Sequence, residues 1–89
     1  MIYEFDPRKN DANVEKHDVP MLDALGFEWE SAQVREDKRK TYAERRFEAI
    51  GLIEDRLYVL VFCHREAKLR VISLRKANLR EIARYANEN

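Results

Sequence analysis

Four side chains able to hold an anion, Arg70, Ser73, Arg75 and Lys76, lie within the otherwise apolar stretch from Leu69 to Lys76. Guanidinium groups on a sheet cost desolvation energy unless an anion meets them, so this stretch is where chemistry is sought first. Cleavage of RNA by transfer of a phosphate to its own 2′-hydroxyl needs three things. A base takes the hydroxyl proton, an acid meets the leaving oxygen, and cations hold the phosphate as charge builds. Arginine, lysine, tyrosine and histidine supply all three without a metal. The same residues can equally bind a phosphate backbone and cut nothing, and composition does not separate the two readings.

Other chemistries find less support. Two histidines and one cysteine, with no His/Cys pair at ligand spacing, give no metal site, and no cofactor is implied. There is no glycine-rich phosphate loop, nucleophile elbow or paired-carboxylate motif, and the only glycines are Gly26 and Gly51. Cys63 and His64 are neighbours on a strand and point to opposite faces, so they are no nucleophile–base pair.

The net charge is zero, but it is unevenly spread. Residues 1–44 carry 11 acidic and 7 basic side chains, whereas residues 45–89 carry 6 and 10. An approaching polyanion senses charges within about a Debye length, ~8–10 Å, so the basic half is the expected face for RNA or DNA. The acidic half is free to meet a cationic partner. An ordinary mixed surface is the competing reading. Eighty-nine residues make one small domain, 1–89. The longest apolar run, Leu57 to Cys63, is the length of a strand and not of a membrane span, and the chain is expected in the cytoplasm.

The elements that must position these groups follow from local pattern. Arg56 to Arg65 is apolar on both alternate faces and is expected at the centre of a sheet covered on both sides. Ile2 to Phe5 reads as an edge strand. Asp6-Pro7 starts a helix that runs to about His17 and puts Lys9, Asn13, Lys16 and His17 on one stripe. The helix dipole favours the imidazolium of His17 there, where the residue either caps the helix or moves protons. Pro20 to Leu25 reads as a second short helix closed by Gly26. Phe27, Trp29 and Ala32 read as a strand or as an irregular loop tucked against the core, the strand being preferred; Glu36 to Lys40 reads as a solvated loop, and Arg45 to Ile53 as another strand.

Glu54-Asp55 and Glu66-Ala67 are tight turns. Two-residue turns set Phe62 opposite Val71, Ser73 opposite Leu60, and Arg75 beside Tyr58 on the face of His64. Arg46, Glu48 and Arg70 then fall on the other face. Asn78 and Glu81 form a capping box for a last helix, which docks through Leu79, Ile82, Ala83 and Ala86. The expected fold is α+β: two N-terminal helices, an antiparallel β-meander and a C-terminal helix.

Three blocks resemble the BrnT family of ribonuclease toxins from type II toxin–antitoxin systems. Phe5-Asp6, Lys9, Asn13, Lys16-His17-Asp18-Val19 and Ala24 are similar to its F-D…K…N…K-H-G-V…A opening. Tyr42-Ala43-Glu44-Arg45-Arg46-Phe47 with Ile50-Gly51 resembles Y-G-E-x-R-F…I-G. Arg70 to Ala77 with Arg80-Glu81 and Tyr85 resembles R-I-I-S-A-R-K-A…R-E…Y. The chain departs from that pattern at Asp18 and Ala43, which replace glycines, and at Met21, where phenylalanine is common. Asp18 thus forces a helix end that favours positive φ to accept a side chain.

The resemblance implies a RelE-like fold, metal-independent endoribonuclease activity that inhibits translation, and neutralisation by a small BrnA-type antitoxin. It implies an assembly of two toxins with two antitoxins, in which the antitoxin alone contacts operator DNA. Carried onto this chain, Arg70 and Arg75 become phosphate clamps, and Lys76, Tyr85 and His17 proton-transfer candidates. Arg46, Arg65, Arg80 and Arg84 are candidate RNA contacts, with Glu44 and Ser73 in support. Glu44 and Arg46 can also simply brace a strand, and Arg80 and Arg84 can be solvated helix surface. The alternative function is a non-catalytic module that binds nucleic acid or an acidic antitoxin segment.

Overall fold

The computed structural model describes residues 2–88. Five strands form one sheet in the order β1-β5-β4-β3-β2: β1 Ile2–Glu4, β2 Gln33–Asp37, β3 Arg46–Ile53, β4 Arg56–Arg65 and β5 Lys68–Lys76. Only β1 runs parallel to its neighbour, pairing Ile2 with Lys68 and Glu4 with Arg70. β4 takes the central place, as its two apolar faces require. Leu60 and Phe62 join Val19, Met21, Ala24, Phe27, Leu69, Val71 and Leu74 in the main core. Val59 and Val61, with Ile50, form a smaller core on the opposite face.

Helix α1 (Pro7–His17) begins as its sequence dictates, with the Asp6 carboxylate accepting the Arg8 N–H at 2.9 Å and Pro7 in the first turn. It lies on β5 and buries one polar side chain, Asn13. Its Nδ2 donates to Val19 O at 2.8 Å and Leu74 O at 2.7 Å, and its Oδ1 accepts from Leu74 N at 3.2 Å. The pairing of β1 with β5 ends at Arg70, so Asn13 does for Leu74 what a longer β1 would have done. Asp18 ends the helix at φ 58°, its N–H donating to Val14 O at 2.8 Å. Asp18→Gly is expected to raise stability by about 0.5–1 kcal/mol, read as a higher urea midpoint at unchanged slope.

The second helix is a 3-10 helix, Met21–Gly26. Phe27, Trp29 and Ala32 do not form a strand: Phe27 makes one isolated bridge to Ile53, and the chain turns where Ala32 N–H donates to Trp29 O. Their rings go to the core, Phe27 and Trp29 meeting edge-to-face at 4.8 Å. A Cβ on Gly51 would stand 2.6 Å from the Phe27 ring, which is why that strand position carries no side chain. β2 instead takes up Glu36 and Asp37, part of the charge run expected to be a loop. Glu36 is partly exposed there and pairs with Arg45, while Asp37 is buried and its charge is met by Arg39 through bonds of 2.8 and 2.7 Å.

Helix α2 (Leu79–Glu88) has its capping box, Asn78 N–H to Glu81 Oε1 and Glu81 N–H to Asn78 Oδ1, both 2.9 Å. The expected docking stripe is not what holds it. Leu79 is 85% exposed, and Ala83 and Ala86 are exposed as well. Tyr85 and Ala77 pack on the smaller core instead, and polar clips complete the attachment. Gln33 Nε2 donates to Tyr85 O at 3.0 Å, and Arg75 grips Glu81 through two bonds of 2.7 Å.

The β4–β5 register corrects the expected one. Phe62 does face Val71, but beyond it Val61 faces Ser73, Leu60 faces Leu74 and Val59 faces Arg75. Ile72 is the extra residue of a β-bulge. Ser73 is therefore not opposite Leu60, and Arg75 is not on the face of Tyr58 and His64. The bulge lets Val71 and Leu74 both reach the main core, and it carries Arg75 to the face of Arg46, Glu48 and Arg70.

Candidate nucleic-acid groove

That second face is divided between two tenants. Near Ile50 and Val59 it is roofed by α2; toward Cys63 and Arg70 it stays open. The open part is a groove of about 190 Å³ lined by Lys9, Tyr42, Glu44, Arg46, Arg65 and Arg70, with Cys63 and Ile72 among its other walls. Four cations against one carboxylate make it strongly positive in a chain whose net charge is zero.

Each cation is placed by a different device. Arg46, at the start of β3, lays its guanidinium 4.2 Å from the Tyr42 ring centroid, a cation–π contact that orients it without neutralising it. Arg70 extends from β5 and donates to Glu4 Oε2 at 2.6 Å, with Lys68 Nζ at 3.9 Å from the other oxygen. One donor fork is thus anchored, and the side chain, 25% exposed, still borders the groove. Arg65 is exposed at the end of β4, and Lys9 reaches in from α1. Burial, followed by the Glu44 carboxylate, pushes the Cys63 thiol up, so it serves as floor and not as nucleophile.

A second hollow adjoins this one and shares Lys9 and Ile72 with it. Its other lining residues are Ala12, Asn13, Lys16, His17 and Ser73. The helical stripe expected on α1 therefore faces the bulge of β5. The pKa of His17 is lowered, first by partial burial and then by the charges of Lys16 and Arg75. The direction is opposite to the one expected from the helix dipole, and it favours the neutral imidazole, which can accept a proton.

The other expected site residues lie apart from the groove. Arg75 is held by Glu81 over α2's first turn. Lys76 is exposed opposite Tyr58, whose side chain packs on the main core. The Tyr85 hydroxyl donates to Ser31 O at 2.9 Å. Arg84 stands 3.6 Å from Glu48, and Arg80 is exposed on α2. Lys9 and Tyr42 were not expected site residues; the spacing of Lys9 with Asn13, Lys16 and His17 was the usable signal.

The Arg75–Glu81 pair gives a pH test. The Arg75 hydrogen bonds, helped by the Asn78 N–H, hold the Glu81 carboxyl down to about 2, against the opposing effect of burial. A depressed carboxyl stabilises the fold above its ordinary value and loses that contribution as pH falls through the folded value. Protection of α2 amides in hydrogen exchange is therefore expected to decline between pH 4.5 and 2. Glu81→Gln is expected to remove that decline.

Residues 5–81 match the family model described as "Ribonuclease toxin, BrnT, of type II toxin-antitoxin system". The chain belongs to the BrnT family. A comparison with curated proteins gives no match. The matched span holds the whole basic groove and the His17 hollow, and stops within α2's first turn. As a BrnT ribonuclease toxin of a type II system, the chain has a cognate antitoxin as partner. Among the described residues no helix is long and apolar enough to cross a membrane. Nor do three or more His, Cys, Asp or Glu side chains group there as a metal site.

Proposed function

We infer that this BrnT chain is an endoribonuclease whose side chains alone cut RNA, and that the groove of Lys9, Arg46, Arg65 and Arg70 holds the scissile phosphate. The single observation carrying this is the convergence of four cations, from α1, β3, β4 and β5, on one open hollow. Neutral His17 takes the 2′-hydroxyl proton as the 2′-oxygen bonds to phosphorus. The bond to the 5′-oxygen breaks, and that oxygen receives a proton from the Lys9 ammonium. A 2′,3′-cyclic phosphate and a 5′-hydroxyl remain. Arg70 and Arg46 meet the charge that builds on the phosphoryl oxygens. Arg75 supports the base: after burial and the charge of Lys16, its own charge also favours neutral His17, while its fork fixes α2.

Cleavage in the cytoplasm would stop translation, and a BrnA-type antitoxin, in an assembly of two with two, would cover the groove and alone contact operator DNA. Incubation of the purified chain with RNA in chelator is expected to give fragments with cyclic-phosphate ends. The rate is expected to fall as pH drops through a value below 6.5, the ordinary histidine value, because the protonated base is inactive. Arg75→Ala is expected to move that limb to higher pH. Binding without fragments would instead mark a non-catalytic module.

A further inference from the structure

On β3 and β4 the groove cations alternate with rings. Arg46 is followed by Phe47, and Arg65 is preceded by His64; strand alternation sends each ring to the opposite face of the sheet. There Phe47 stacks with Phe62 at 5.6 Å and 27°, and the His64 ring leans on both, 6.0 Å from Phe47 and 5.7 Å from Phe62. Phe62 is buried, so the bed is rigid, while His64 is exposed. The Arg45 guanidinium stands 5.3 Å from the Phe47 centroid and reaches Glu36 at 2.8 Å, with 73% of its side chain exposed. An exposed ring braced on the same Phe47 that carries the Arg45 guanidinium is not required by the core, which is closed by Phe62 and Leu69.

We propose that His64, on its Phe47–Phe62 bed with Arg45 over the same Phe47, is a stacking site for one unpaired base of the RNA whose phosphates lie in the groove. The proposal rests on the reading of that groove as the phosphate site, and it names the substrate class: single-stranded RNA. The strand passes over the sheet end where β3 begins and β4 ends, phosphate on Arg46 and Arg65, neighbouring base on His64. Aromatic rings interleaved with a cationic track hold single strands in a sequence-tolerant way, because every base has a flat face. A duplex keeps its bases stacked inside and offers none to this site.

The test uses a short single-stranded 2′-O-methyl RNA, which lacks the attacking hydroxyl proton, and the same strand made abasic, with binding read by fluorescence anisotropy. The wild-type chain is expected to prefer the intact strand by about tenfold. His64→Ala is expected to abolish that preference and His64→Phe to keep it; His64 is exposed, so neither change disturbs the core. A preference that survives His64→Ala, or a wild-type chain that binds both strands equally, overturns the stacking site and leaves the groove standing. Failure of the wild-type chain to bind either strand overturns both.

Discussion

Arg70→Ala is expected to lower the rate of RNA cleavage by roughly 10²–10³, the loss seen when one preorganised donor is taken from a developing charge. Arg70 is the groove cation with an anchored fork: its 2.6 Å bond to Glu4 fixes the guanidinium before substrate arrives, so little reorganisation remains. Arg70→Lys is expected to recover only part of the rate, since an ammonium keeps the charge and loses the planar fork. Stability should fall by no more than about 1 kcal/mol, because both partners of the Arg70–Glu4 pair are partly exposed. Single-turnover cleavage and a urea melt on the same preparation check the two halves together. A fully active Arg70→Ala protein would remove the groove from the mechanism.

The largest stability effect is expected at Asn13. Its buried amide satisfies the Val19 carbonyl and both backbone groups of Leu74. Asn13→Ala leaves all three without that partner, at a cost of roughly 2–5 kcal/mol, a large share of the stability of a small domain. Asn13→Asp is expected to be no better, because a carboxylate offers the two carbonyls no donor and must itself be desolvated. The urea midpoint measures both. Asn13 also lines the His17 hollow, so Asn13→Ala should lower activity even where the protein remains folded.

Much of this architecture was readable because single segments declare themselves. Asp6-Pro7 starts α1 by its own chemistry, the doubly apolar Arg56–Arg65 run has only the sheet centre to go to, and Asn78 with Glu81 caps α2 without help. What stayed hidden depends on partners distant in sequence. The charges of Glu36 and Asp37 read as loop, because nothing local says that β3 lies beside them. Leu79 and Ile82 read as docking residues, although α2 is held through Glu81, Tyr85 and Gln33. The groove was half legible. Arg46, Arg65 and Arg70 are visible as cations in or beside strands, but their meeting with Lys9 is a property of how α1 lies on β5.

The bulge left a trace that strict alternation overlooks. Leu69, Val71 and Leu74 all reach the main core, two residues apart and then three, and an odd step between residues on one face demands one residue too many. That surplus residue, Ile72, is unpaired, and the ladder to β4 runs in ordinary alternation on either side of it. Deleting Ile72 would leave plain alternation in its place, with Leu69, Val71 and Leu74 still on the core face and Arg70, Ser73 and Arg75 still on the other. β5 can therefore shed this one residue and keep both of its faces, giving up only the local bend and added twist that a bulge supplies.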